Sequence, residues 1–112
     1  MLPKLKRLNL KKDFKWVALG KRVNFKYATL FFRIGENSFP RIGIAVSSKI
    51  FKNPTQRNRA RRLVSSCFES LYGRLPTNIN IVALPKAKVI EVKSGDLLLE
   101  LEQTLKNEKI IN

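Results

Sequence analysis

The sequence predicts an α+β fold in one domain, and three observations predict it. Segments with apolar residues at helical spacing alternate with short aromatic and β-branched runs. The chain has 112 residues, 44% of them hydrophobic, enough for one packed core but not two. Glycine, proline and asparagine fall at the joints between segments, with no linker or internal repeat. The expected architecture is a single-domain α/β sandwich over residues 1–112, in the order helix-strand-strand-helix-strand-helix.

Residues 1–10 are basic with scattered leucines and are expected to form an extended arm. Lys11 to Leu19 reads as a short helix with Phe14, Val17 and Ala18 on one face, stopped by Gly20. Val23 to Arg33 reads as one strand. Its alternation puts Tyr27, Thr29, Phe31 and Arg33 on one face and Ala28, Leu30 and Phe32 on the other. After a turn at residues 34–38, Arg41 to Ser48 reads as a second strand with Ile42, Ile44 and Val46 inward. Gly43, Ala45 and Ser47 on its other face are small, which leaves room for another element or a ligand. Asn53-Pro54 is a sharp helix start: Asn caps free amides, and Pro lacks only an N–H that has no partner there. That helix is expected to run to Tyr72, with Ala60, Leu63, Val64, Cys67, Phe68 and Leu71 as its apolar face. Asn78 to Leu84 is a nearly continuous apolar run and reads as a central strand, ended by Pro85. Val89 to Val92 is a short connector. A last helix from about Lys93 to Lys109 turns Leu97, Leu98, Leu101 and Leu105 inward and Glu100, Glu102 and Glu108 outward.

Charge points to a polyanionic partner. Lys and Arg number 23 against 8 Asp and Glu, a formal charge of +15. Residues 1–86 hold 19 of the basic and 3 of the acidic side chains; residues 87–112 hold 4 and 5. The C-terminal segment is therefore expected to face away from the polyanion. There is no histidine, and the single Cys67 has none to activate it, so no catalytic residue and no metal site are expected on the protein. No run is apolar and long enough to span a membrane or act as a secretory signal, and a cytoplasmic, membrane-free location is expected.

The run Gln56-Arg57-Asn58-Arg59-Ala60-Arg61-Arg62-Leu63 opens the long helix. Arginine presents a flat, permanent charge that matches phosphate oxygens, and no acidic residue stands between Lys49 and Phe68 to neutralise it. On a helical wheel Arg57 and Arg61 share one edge of the apolar stripe. Arg59 falls on the opposite flank, and Arg62 points away. Lys49 and Lys52 adjoin the helix start and are expected to contact phosphate. Phe31 with Tyr27 and Arg33, together with Phe14, forms a mixed aromatic and basic set suited to unpaired bases.

These residues carry a family resemblance over almost the whole chain. Arg57-Asn58-Arg59-Ala60-Arg61-Arg62 resembles the Arg-Asn-Arg-x-Lys-Arg signature of the bacterial ribonuclease P protein subunit. Val46-Ser47-Ser48-Lys49 with Asn53 resembles the segment before that signature. Asp13-Phe14, Val17 and Gly20 resemble the family's N-terminal pattern. The chain departs from the family at Ala18, where a second aromatic is usual, at Lys52 in place of a glycine, and at Leu84 within Ala83-Leu84-Pro85.

The resemblance implies a fold like ribosomal protein S5 domain 2 and a role in removing the 5′ leader of precursor tRNA. It implies that an RNA subunit carries the chemistry with Mg²⁺, and that the protein alone is inactive and holds no tight cofactor. The protein would bind the ribonuclease P RNA one-to-one through Arg57, Asn58, Arg59, Arg61, Arg62, Lys49 and Lys52, and would be monomeric by itself. Phe14, Phe31, Tyr27 and Arg33 would line a cleft for the leader of precursor tRNA. The competing reading is a ribosomal or other structural RNA-binding protein, which shares the charge and size.

Overall fold

The computed structural model describes residues 2–112; Met1, the first residue of the expected arm, lies outside the described residues. The elements are α1 (Leu10–Ala18), β1 (Lys21–Phe25), β2 (Ala28–Ile34), β3 (Arg41–Ile44), α2 (Pro54–Leu71), β4 (Ile79–Pro85) and α3 (Ser94–Asn107). The strands form one sheet in the order β1-β2-β4-β3. β2 is antiparallel to both β1 and β4, whereas β3 runs parallel to β4, to which α2 connects it. The α+β class stands.

The two faces of the sheet are covered unequally. Leu30, Phe32, Ile42, Ile81 and Ala83 point to one side and pack with Ala60, Val64 and Phe68 of α2 and Leu97, Leu101 and Leu105 of α3. Fully burying one such side chain is worth about 1.5–3 kcal/mol, so this layer dominates the fold. On the other side α1 closes a small cluster of buried Leu8, Val17 and Val82, edged by half-buried Leu10, Phe14, Phe31 and Leu84.

The order of elements differs from the expected one by an extra strand. The segment expected as a single strand, Val23 to Arg33, folds back on itself after Phe25, and Phe25 pairs with Ala28 across the turn Lys26-Tyr27. Neither turn residue has a positive φ, so the turn needs none of the Gly or Asn that would mark it in sequence. The second expected strand is shorter, ending at Ile44, although Ala45 still donates to the Ala83 carbonyl (2.9 Å).

The expected extended arm is instead strapped to the protein. Leu2 and Leu8 are buried, Lys4–Lys6 forms a single tight turn, and Arg7 bridges to Ile42 at the outer edge of β3. The Leu2 amide donates to Ser65 Oγ on α2 (3.2 Å), Arg7 Nε donates to the Leu2 carbonyl (2.7 Å), and Lys6 Nζ lies 4.4 Å from the Tyr72 ring centre. Two leucines among the lysines bury enough apolar surface to hold the segment down. The room predicted above Gly43 is taken by this chain. A Cβ on Gly43 would lie 2.6 Å from Leu10 Cδ2 and 3.2 Å from Leu8 Cβ.

Candidate nucleic-acid interface

The start of α2 is built by local hydrogen bonds. Asn53 Oδ1 accepts from the Thr55 amide (2.8 Å), and Pro54 takes the first helical position. The loop before it is closed by the Phe51 amide donating to the Ser47 carbonyl (2.9 Å) and the Lys49 amide donating to Ser47 Oγ (3.1 Å). Phe51 anchors the loop in the core, and Lys49 and Lys52 stand exposed beside the first turn of α2.

The arginines surround the buried face as the wheel predicted, but they are not equivalent. Arg57 Nη1 donates to the carbonyls of Phe51 (2.8 Å) and Lys52 (3.2 Å), so this half-buried side chain holds the loop as well as carrying charge. Arg59 reaches the other way, where Nε donates to the Ile90 carbonyl (3.1 Å). Arg61 donates through Nη1 to Asn58 Oδ1 (3.2 Å), which gives Asn58 a positioning contact within the run. Arg62 is exposed and lines a shallow groove with Arg59, Ser66 and Ser94. Among the described residues none of the four pairs with a carboxylate. Ion pairs form elsewhere, among them Lys21 with Glu108, and Arg74 and Lys106 with Glu102.

The aromatic set is only partly assembled. Phe14 and Phe31 meet between α1 and the sheet, with ring centres 6.4 Å apart at 56°, and both stay half-exposed. Tyr27 does not join them. It sits in the β1–β2 turn, edge-on to Phe25 (6.4 Å) and packed toward the α3 side. The alternation that placed it with Phe31 fails because a turn residue does not follow the pleat of the strand. Arg33 shares the sheet face with Phe31, but its guanidinium lies 4.6 Å from the Trp16 ring centre and Nη1 donates to the Trp16 carbonyl (2.9 Å). That contact gives the exposed Trp16 a partner on the sheet. Arg7, beside Arg61 at the edge of β3, is the basic group that the sequence did not single out. Its charge was visible in the N-terminal segment, but its place depended on that segment being strapped down.

Cys67 is buried, and desolvation pushes its thiol up to about 11. Among the described residues no group of three or more Cys, Asp or Glu side chains could hold a metal ion, and no helix is long and apolar enough to cross a membrane.

A family model described as ribonuclease P matches residues 2–109. The chain belongs to the ribonuclease P protein family. The ribonuclease P protein component of Pseudanabaena sp. is 36% identical over 109 residues, 96% of this chain and 90% of that protein. That of Blochmanniella pennsylvanica is 32% identical over 103 residues, 91% of this chain and 90% of the relative. Among solved structures, the RNase P protein of Thermotoga maritima matches with a TM-score of 0.79 at 31% identity, over 90% of this chain and 96% of the other. The RNase P protein of Staphylococcus aureus matches with a TM-score of 0.80 at 22% identity, over 96% and 98%, a likeness of fold. Membership makes the chain a protein component of a ribonucleoprotein ribonuclease of tRNA processing, with an RNA as its partner. Of the two readings the sequence left open, the family selects ribonuclease P over a ribosomal protein.

Proposed function

We propose that this chain binds the ribonuclease P RNA one-to-one through α2 and helps it remove the 5′ leader of precursor tRNA. The observation that carries this reading is the unneutralised arginine run. Arg57, Arg59, Arg61 and Arg62 occupy the first half of one rigid helix with no carboxylate partner among the described residues, flanked by exposed Lys49 and Lys52. Such an array gains by engaging phosphates, releasing their counterions and relieving its own repulsion. The unpaired leader lies against Phe14 and Phe31, where half-exposed rings offer stacking surface. Tyr27 is not part of that surface, and Arg33 borders it while held on Trp16.

The RNA carries the chemistry with its own Mg²⁺. The protein contributes binding and positioning, because its one thiol is buried with a raised pKa and it has no histidine. The free protein is a monomer in the cytoplasm. The test is reconstitution with a ribonuclease P RNA. Adding the chain should accelerate leader removal at low Mg²⁺, and the protein without RNA should cleave nothing. Absence of any effect on the RNA's rate or substrate affinity would defeat the reading.

A further inference from the structure

A slot opens at the outer edge of β3, between the strapped N-terminal segment and α2. Its volume is about 200 Å³, below the roughly 300 Å³ at which pockets for drug-sized ligands begin. Its floor and sides are apolar, from Leu8, Leu10 and Ile42, and Arg7 and Arg61 stand at the same opening. Gly43 also lines the slot but is buried, because Leu8 and Leu10 pack over it and a side chain there would collide with Leu10.

The edge of β3 also offers main-chain groups. Ala45 donates inward to Ala83 on β4, and the Ile42 carbonyl accepts from Leu8 on the outer side (3.0 Å). Main-chain groups alternate sides along a strand, so the N–H and C=O of Ile44 face outward, toward the slot. No backbone hydrogen bond from the described residues reaches them. Arg7 spends Nε on Leu2, and Arg61 spends Nη1 on Asn58. Each guanidinium keeps other N–H donors free.

We propose that this slot holds one unpaired nucleotide of RNA, its base against the Leu10 side chain and its phosphate between Arg7 and Arg61. The base edge meets the N–H and C=O of Ile44. Every nucleobase carries a donor beside an acceptor on its pairing edge, so the slot selects a base without selecting which one. The site lies beyond both Phe14–Phe31 and the Arg59–Arg62 side of α2. It extends the RNA-binding reading, with which it shares Arg61 of α2. An extended peptide adding to the sheet edge is disfavoured, because the Arg7–Ile42 bridge closes the strand on one side of Ile44 and leaves too little edge for a ladder.

The test is a titration of the ¹⁵N-labelled full chain, followed by amide shifts, with adenosine 5′-monophosphate, cytidine 5′-monophosphate and ribose 5-phosphate. Both nucleotides should shift the Ile44 amide saturably with similar affinity, and ribose 5-phosphate should bind at least tenfold more weakly. Leu10→Trp, which fills the slot, should weaken nucleotide binding about tenfold; its fold is checked by the remaining amide shifts. Should that variant unfold, the comparison of nucleotide with ribose phosphate on the unaltered chain still decides. An unmoved Ile44 amide overturns the proposal, as does equal binding of ribose 5-phosphate. So does a short valine-rich peptide that shifts Ile44 where the nucleotides do not. Failure of reconstitution with the ribonuclease P RNA would leave this titration unaffected, so the two readings fail separately.

Discussion

Replacing Arg57 and replacing Arg62 by alanine should have the same effect on RNA affinity and different effects on stability. Arg57 donates twice to main-chain carbonyls of the loop before α2, at 2.8 and 3.2 Å, and is half-buried. Each bond is worth about 1 kcal/mol net, so Arg57→Ala should destabilise the fold by about 2 kcal/mol. At roughly 4 °C per kcal/mol for a chain of this size, Tm should fall by about 8 °C. Arg62 is exposed with no such partner, and Arg62→Ala should change stability by less than about 0.5 kcal/mol. On RNA each variant loses one cation at the phosphate backbone, so the slope of log affinity against log salt should shallow by roughly one unit in both. Thermal unfolding by circular dichroism and filter binding over a salt series measure the two effects. Equal melting temperatures for the two variants would refute the loop-holding role of Arg57. Unchanged salt slopes for both would remove the arginine run from the RNA.

Phe31→Leu keeps apolar volume at the Phe14 contact and removes the stacking ring. It should weaken holoenzyme binding of precursor tRNA on the order of tenfold, from about 1–3 kcal/mol per stacked base, and spare mature tRNA; equal losses would place Phe31 outside the leader's path. Cys67 should resist a disulfide reagent at pH 8 in the native protein and react on unfolding; rapid native labelling would contradict its burial. Its thiol titrates at about 11 when folded and near 9 when exposed, so the unfolded state binds fewer protons above pH 9 and stability falls as pH rises from there. That decline should be shallower in Cys67→Ala, as read from denaturant midpoints across pH. Glu102 is held below the ordinary carboxylate range, first by the hydrogen bond from Arg74, so its contribution is present at neutral pH and lost as pH falls through its folded value. Glu102→Gln should flatten the acid side of the Tm–pH curve.

How much was legible depended on whether the deciding interaction is local. Asn53, Pro54 and the apolar stripe from Ala60 to Leu71 mark α2 because capping and helical periodicity are written within a few residues. The arginine run was legible for the same reason. The β1–β2 turn was not, since Lys26-Tyr27 makes it without glycine, and Tyr27 was misplaced in consequence. The N-terminal segment and Arg7 were illegible because their positions are set by Ser65 and Ile42, far along the chain. Arg33 was read as lining the leader cleft; its contact with Trp16 was not legible, because Trp16 lies on another element.

The two faces of the sheet also differ in how long they would survive a fluctuation. α2 buries six of its side chains, whereas α1 is nine residues long and buries one of its own, Val17. Its free energy of local opening is correspondingly small, and its amide protons should exchange with solvent well before those of α2. Phe14 leaves with α1 and ends the pairing of its ring with Phe31. On warming, the aromatic surface is thus dismantled while the arginine helix still stands on an intact core, so the grip on unpaired bases fades before the grip on phosphate.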